Sequence, residues 1–256
     1  MKKRYLKGSL IFIIFVLVIL STASVMAMNN GMWFQKNENA DVYVFPITPL
    51  ENPDEWKALE THDDMVKVTQ IPDNILVKIS TKGLIETCFN YPLFGDIFAY
   101  NSYNQGLDIL NKQFNGFREL YNRIDLAKEI ILFYQNIDHK SVINSTDPYF
   151  TLRLRFIDYF VAQDEVLFAF SKEERNELLD ATVKALESKS QSFSDTLSID
   201  STLYLAASIM KIDDKDLEAT IYDDDENSLF FEQGKISTKL AETISYKLSE
   251  GGYLND

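Results

Sequence analysis

The side chains best suited to nucleophilic or acid–base catalysis are few in this chain, which has two histidines and one cysteine. Hydrolases of the Ser-His-Asp or Cys-His type need a histidine placed against the nucleophile. His62 lies beside Asp63 near a predicted helix start, and His139 follows Asp138 at a predicted helix end, where a cation suits the helix dipole. Neither belongs to a nucleophile motif, so we interpret both as helix-terminus or surface residues. Cys88 stands in an apolar stretch, which predicts a small buried hydrophobe rather than a catalytic residue.

One acidic segment partly matches a calcium-binding loop. Asp223, Asp225 and Asn227 occupy the first, third and fifth positions of an EF-hand pattern. Ser228 and Gly234 then stand where the pattern needs a glycine and a bidentate glutamate. The sequence also lacks an HExxH motif and a pair of cysteines for zinc. We interpret the segment as a solvated acidic loop, and we predict no metal and no other cofactor.

The segment 91–105 combines aromatic and amide side chains. Flat aromatic faces can stack on sugars or peptides, and neighbouring amides can form hydrogen bonds with them. The same composition would suit a connection between helices whose aromatic rings fill the core. The residues that we predict for ligand binding are Tyr91, Tyr100, Asn101, Tyr103 and Asn104.

Two functions are compatible with these residues. The first is a non-catalytic binding or scaffold protein at the cell envelope, whose partner would be a glycan, a peptide or an envelope protein. The alternative is a secreted hydrolase of glycan or peptide that uses two carboxylates about 5 to 10 Å apart. The 39 acidic residues offer many such pairs without singling one out. The sequence therefore favours the non-catalytic function, and we predict no catalytic residue.

The N-terminal segment predicts export. Four positive charges within the first seven residues precede an apolar run from Leu10 to Leu20, which is shorter than the about 20 residues of a membrane-spanning helix. Val25 and Ala27 can serve as the recognition residues of a signal peptidase, so we predict that residues 1–27 are a signal peptide. The alternative is an uncleaved membrane anchor. Either one places the rest of the chain in the periplasm, at the cell envelope or in the medium.

The chain is strongly acidic, with 39 acidic and 25 basic residues and a formal charge of −14. Its first 27 residues hold four of the basic residues and no acidic one, so cleavage would change the charge to −18. Such a charge repels phosphate backbones and anionic lipid surfaces. We therefore exclude nucleic acid as a partner, and we expect membrane contact only through an uncleaved N-terminal segment.

The elements that must position these residues are predicted to be helices. Residues 28–52 read as an irregular lead-in or tether, because Pro46 and Pro49 interrupt their only strand-like run. From residue 53 onward, apolar residues recur every three to four positions behind helix-capping residues. Nine glycines leave few tight turns for an all-β domain. These patterns predict a single all-α domain over residues 53–256, built as an irregular helical bundle or as a short HEAT-like stack of helix pairs.

Local signals within this region are more specific. Helix caps are predicted at Thr61, at Thr81 and at Ser171, the last in a capping box with a glutamate three residues later. Gly116 is predicted to separate two helices. The stretch 150–170 fits both the alternation of a strand and the period of a helix, and its length favours the helix.

Three segments carry a resemblance to other proteins. They are IPDNIL at residues 71–76, ISTKGLIETCFNYP at 79–92 and FNGFREL at 114–120. Together they resemble uncharacterised exported proteins of gut anaerobic bacteria, over residues 55–140. The resemblance implies a helical secreted protein, and it implies no catalytic or ligand-binding residue.

Export is directly measurable. If the signal peptide is cleaved after Ala27, the intact mass of protein recovered outside the cytoplasm will lack the first 27 residues. Ala27→Phe is a suitable control, because a large residue at this position should block cleavage. A full-length wild-type product in the membrane fraction would instead support the anchor.

Overall fold

The computed structural model describes residues 41–139, 149–192, 196–223, 230 and 233–251. These residues form thirteen α-helices and one 3-10 helix, without a β-strand, which confirms the prediction of an all-α fold. In chain order the elements are α1 (Pro53–Lys57), α2 (His62–Val68), α3 (Asp73–Leu76), α4 (Thr81–Phe89), the 3-10 helix (Phe94–Ala99), α5 (Tyr103–Gln113), α6 (Asn115–Leu120), α7 (Leu126–Gln135), α8 (Phe150–Val161), α9 (Asp164–Leu167), α10 (Lys172–Ser192), α11 (Thr196–Asp213), α12 (Lys215–Asp223) and α13 (Thr238–Glu250).

Several predictions concern residues beyond these ranges. The signal peptide, the first part of the lead-in (residues 28–40) and residues 224–229 of the acidic loop lie outside the described residues. Within the described ranges, none of the helices has the length and apolar character needed to cross a membrane.

Local sequence sets most helix starts. The Thr61 hydroxyl accepts a hydrogen bond of 3.1 Å from the backbone N–H three residues later, as predicted. Ser171 and Glu174 form the predicted capping box at the start of α10, with hydrogen bonds of 2.8 and 3.2 Å. The cap of α4 is Ser80 rather than Thr81, because the Ser80 hydroxyl accepts the backbone hydrogen bond, at 3.0 Å. The prediction for this helix was therefore wrong by one residue.

The break between α5 and α6 lies at Phe114 and not at Gly116. Phe114 has extended backbone angles, φ −104° and ψ 123°, and stands between the two helices. Gly116 lies inside α6, where a Cβ atom would overlap with the Phe114 ring. The glycine thus makes room for a ring and does not end a helix. The ambiguous stretch is helical from Phe150 to Val161, as predicted.

Aromatic rings form the centre of the hydrophobic core. Tyr91 stacks on Phe114 with 4.1 Å between the ring centroids. Phe117 lies 5.9 Å from Phe156 and 5.2 Å from Phe160, also between ring centroids. All five side chains are buried, and aromatic pairs of this kind contribute about 0.5–1.5 kcal/mol each beyond the burial of their area. These contacts join the end of α4 to α6 and α8.

The described part of the lead-in is docked on the helices, which corrects its interpretation as a tether. Residues 41–52 are irregular, as expected. Phe45, however, is buried in the aromatic core. The Tyr43 backbone N–H donates to the Thr87 hydroxyl at 3.0 Å, and the Ser80 N–H donates to the Asp41 carboxylate at 2.7 Å. Prolines prevent this segment from joining a sheet, but they do not prevent it from packing on a helix.

A buried ion pair joins four helices. Asp158 of α8 and Lys189 of α10 have side chains that are 1% and 0% exposed, and Nζ lies 3.0 Å from Oδ2. Ser201 and Thr202 of α11 donate to the same carboxylate oxygen at 2.7 Å each. The Tyr134 hydroxyl of α7 donates to Oδ1 at 2.8 Å. We call these five residues the Asp158 network.

The Asp158 network specifies how the helices pack. Moving two charges out of water costs several kcal/mol for each ion, and their attraction offsets this cost only when the remaining polar groups are also bonded. Asp158 meets that condition, because it has one cationic donor and three hydroxyl donors. A rotation or shift of α7, α8, α10 or α11 would remove a donor from a carboxylate that water cannot reach.

A second ion pair lies nearer the surface. The i, i+4 spacing of Glu119 and Arg123 predicts a pair with a partly buried arginine. This is confirmed, because Arg123 Nε lies 3.0 Å from Glu119 Oε1 and the side chains are 20% and 33% exposed. The contact is an ion pair rather than a well-aligned hydrogen bond. Arg123 follows α6, and its Nη2 donates to the Leu76 carbonyl at 3.0 Å, so the pair also anchors the end of α3.

Removing one partner of the Asp158 network should be strongly destabilising. Lys189→Met leaves Asp158 without its cation, and Asp158→Leu leaves Lys189 without its anion, so each should lower the free energy of unfolding by about 3 to 5 kcal/mol. The double variant should lose less than the sum of the two, because neither charge is left alone. Urea denaturation of the four proteins measures this coupling.

A matched control is Lys215→Met, because Lys215 pairs with Glu218 at an exposed position, with 76% of its side chain exposed. Its denaturation midpoint should equal that of the wild type. Strictly additive losses in the two single variants and the double variant would contradict the coupling.

Candidate functional site

Tyr91 belongs to the core, which corrects its prediction as a ligand-binding residue. Its side chain is 0% exposed, and its hydroxyl accepts a hydrogen bond of 3.3 Å from the Thr69 hydroxyl. Burial raises the pKa of Tyr91 to about 12, so the phenol stays neutral. At this position the core-filling interpretation of the aromatic segment is the right one.

The other four predicted residues surround the start of α5. Asn101 is exposed and Tyr100 half-buried, on the turn that follows the 3-10 helix. Ser102 caps α5 by accepting a hydrogen bond of 3.0 Å from its backbone. Tyr103 and Asn104 are both half-buried and contact residues of α8 or directly after it. The structure therefore brings Tyr103 and Asn104 together with α8 and leaves the other two on the adjacent turn.

Arg155 of α8 completes this group of side chains. Its Nη2 donates to the Tyr103 hydroxyl at 2.9 Å. The guanidinium carbon lies 5.4 Å from the ring centroid of Phe98 and 5.8 Å from that of Tyr103, which is within the range of cation–π attraction. Gln163, directly after α8, donates from Nε2 to Asn104 Oδ1 at 3.2 Å. We call Phe98, Tyr103, Asn104, Arg155 and Gln163 the Arg155 site.

Two buried tyrosines, Tyr159 and Tyr204, pack behind Tyr103 on the core side of the Arg155 site. Tyr103 stacks on Tyr159 with 4.0 Å between centroids and 24° between ring planes. Tyr159 in turn contacts Tyr204, with centroids 5.4 Å apart. Gly234 has a φ of +64°, and a Cβ atom there would lie 2.8 Å from Tyr103 Cδ2, so the segment before α13 packs directly on the ring. These contacts fix the position of the Tyr103 hydroxyl and hence that of the Arg155 guanidinium.

The charge of Arg155 is not balanced within the described part of the chain. No carboxylate of those residues lies within 4.0 Å of it, and its buried Nε has no hydrogen-bond acceptor there. Burial lowers the pKa of Arg155, but its contacts with Tyr159 and Tyr103 outweigh burial and raise it. Burial also raises the pKa of Tyr159, which keeps that phenol neutral. Arg155 is therefore a half-buried cation with only neutral partners.

The two histidines differ in their surroundings. His62 is exposed, as predicted, and its Nε2 lies 2.7 Å from Asp96 Oδ2, which ties α2 to the 3-10 helix. His139 is buried, with 8% exposed, and its ring centroid lies 5.8 Å from that of Tyr134. Burial lowers the pKa of His139 to about 3, and the nearby Lys189 acts in the same direction. The prediction of a surface residue stabilised as a cation was therefore wrong for His139.

The described residues hold no other arrangement with an evident reactive role. They contain no group of three or more His, Cys, Asp or Glu side chains that could bind a metal ion. Cys88 is buried, as predicted, and burial raises the pKa of its thiol well above the usual value. Its thiolate is thus disfavoured, and a buried thiol cannot meet a substrate.

Comparisons with known proteins add no relative. No protein-family model matches the chain, and no curated protein or solved structure is similar enough to count as a match. The resemblance to exported proteins of gut anaerobes therefore stays a prediction. The geometry of the Arg155 site is the main ground for a function.

Sequence reasoning missed Arg155, although a signal was present. Arg153 and Arg155 are two cations within an apolar stretch of an acidic chain. Two residues along a helix turn the side chain by about 200°, so the two arginines leave α8 on opposite faces. Arg153 is buried, and its Nη1 donates to the Phe89 carbonyl at 2.9 Å, so it serves the core. Only the structure shows that Arg155 is half-buried beside Tyr103.

Burial of His139 should make the free energy of unfolding decrease as the pH is lowered. The unfolded chain takes up a proton near pH 6.5, whereas the folded protein takes it up only near pH 3. Acidification therefore favours the unfolded state throughout this window, and the loss should reach about 2 kcal/mol at pH 5. His139→Leu should remove this slope between pH 6.5 and 4.5, as measured by urea denaturation at several pH values.

His62→Leu is the matched control, because His62 is exposed. This variant should keep the slope of the wild type. An unchanged slope in His139→Leu would show that His139 titrates at its ordinary pKa in the folded protein.

Proposed function

We propose that the protein is a non-catalytic binding protein of the cell envelope, exported by its N-terminal segment, which binds its ligand at the Arg155 site. The observation that carries this proposal is the half-buried Arg155 guanidinium without a carboxylate partner among the described residues. A partly desolvated cation without a counter-ion is costly. A ligand that supplies an acceptor would recover this cost on binding.

The surroundings of Arg155 also suit binding. The hydroxyl of Tyr103 holds one end of the guanidinium, and Tyr103 itself is fixed between Tyr159 and Gly234. A site whose groups are already fixed loses little conformational entropy on binding. Asn104 and Gln163 add amide groups to the site, joined by a hydrogen bond of 3.2 Å.

The hydrolase alternative has less support. It needs two carboxylates that face one cleft. The buried carboxylates of the described residues are Glu86 and Asp158, which are 2% and 1% exposed. Asp158 already accepts hydrogen bonds from four donors, and at these exposures neither group reaches solvent. Both fit structural roles better than catalytic ones.

The proposal is tested by binding on a glycan and peptide array. The purified protein should bind a defined subset of the array, and Arg155→Met should lose most of this binding. Arg118→Met is the control, because Arg118 is an exposed arginine on α6 and its removal changes the net charge equally. Both variants should have the circular dichroism of the wild type.

Catalysis is tested on the same ligands. Each bound ligand is incubated with the protein and then analysed by mass spectrometry, and it should be recovered intact. Cleaved ligand would support the hydrolase. Binding that is equally strong in Arg155→Met would refute the Arg155 site.

A further inference from the structure

Four shielded cations of this protein have aspartate partners, whereas Arg155 has no carboxylate partner among the described residues. Arg175, Lys189, Lys211 and Lys247, with 30% or less of their side chains exposed, each lie within 3.0 Å of an aspartate oxygen. Arg155 is half-buried in the same acidic protein, and its contacts in the described residues are with aromatic rings and with the neutral hydroxyls of Tyr103 and Tyr159. An acidic chain has many carboxylates from which a partner could be drawn. No carboxylate of the described residues takes this position, which leaves it open to an anion from outside.

We infer that the ligand of the Arg155 site is an acidic sugar whose carboxylate pairs with Arg155. This inference rests on the proposed binding function and names its ligand class. The guanidinium group is planar and matches a carboxylate through two parallel hydrogen bonds. Nε is shielded from solvent, whereas Nη1 makes no hydrogen bond in the described residues and is not fully buried. The carboxylate therefore pairs with Nη1 and with the Nη2 that contacts Tyr103. The phenol then confines the carboxylate to one orientation.

The surface around Arg155 suits a sugar better than a peptide. An extended peptide commonly binds by adding a strand to a sheet edge, and the described residues contain no strand. Sugar hydroxyls pair well with side-chain amides and phenols. Tyr103 and Asn104 supply such groups: both are half-buried, the Tyr103 hydroxyl contacts Arg155, and Asn104 contacts Gln163 of the same site.

The charge of the whole protein limits the kind of acidic sugar. A formal charge of −14 repels an extended polyanion before it reaches the site. A single carboxylate feels this repulsion less and gains the short-range pairing with Arg155 in a partly desolvated setting. The ligand is therefore a glycan with an isolated uronic acid and not a continuous polyuronate.

The inference is tested by calorimetric titration with three disaccharides. Cellobiouronic acid carries one carboxylate, its methyl ester has the same ring without the charge, and cellobiose has a hydroxymethyl group instead. The acid should bind at least about tenfold more tightly than the other two, which corresponds to about 1.4 kcal/mol. Arg155→Met should abolish this preference, and Arg118→Met should keep it.

A conservative variant separates charge from geometry. Arg155→Lys keeps the positive charge but lacks the planar fork. It should retain only part of the preference for the acid. A full preference in Arg155→Lys would show that no paired hydrogen bonding occurs at this position.

The outcomes separate the inference from the function on which it rests. Equal binding of cellobiose and the acid, lost in Arg155→Met, would overturn the acidic sugar and leave the binding site standing. Tighter binding of the dipeptide acid N-acetyl-alanyl-alanine than of cellobiouronic acid would show that the carboxylate belongs to a peptide. If Arg155→Met binds every ligand as tightly as the wild type does, in the titrations and on the array, both the acidic-sugar inference and the proposed binding site would be overturned.

Discussion

The buried carboxylate of Asp158 is the group on which the rest of the structure depends. Its donors come from α7, α10 and α11, while it lies on α8 itself. Hydrophobic side chains alone allow helices to slide or rotate with modest loss, because apolar contact has little direction. A buried ion is less tolerant, since each lost hydrogen bond leaves a polar group without water. The network therefore selects one arrangement of the four helices more than it adds net stability.

This arrangement sets the orientation of α8 and so places the Arg155 site. Arg155 precedes Asp158 by three residues, which puts the two side chains about 60° apart around the helix axis. Tyr159, four residues after Arg155, lies about 40° from it on the other side. Phe156 and Phe160 point into the aromatic core. With those residues buried, Arg155 can only emerge at the edge of α8 that faces Tyr103. The core thus determines the site without contacting a ligand.

The sequence predicted the parts of this structure that depend on neighbouring residues. The caps at Thr61 and Ser171 follow from side chains that bond backbone groups three residues away. Failures came where distant residues decide. His139 resembles a helix-end cation in sequence but is buried beside Tyr134. Tyr91 resembles a binding residue among its neighbours but stacks on Phe114. No local pattern distinguishes a ring that fills the core from one that lines a surface, because both need the same residue types.

Asp158 and Arg155 are both charged residues of α8 that are shielded from solvent, but they have different roles. Asp158 breaks the rule that charges stay outside, and the protein compensates fully by surrounding it with donors. Arg155 breaks the same rule in part and is compensated only by neutral groups in the described residues. Departures from local rules that remain uncompensated are typical of functional sites. This contrast favours a structural role for the Asp158 network, whose charges are all paired. It favours a binding role for the Arg155 site, whose cation has no carboxylate partner among the described residues.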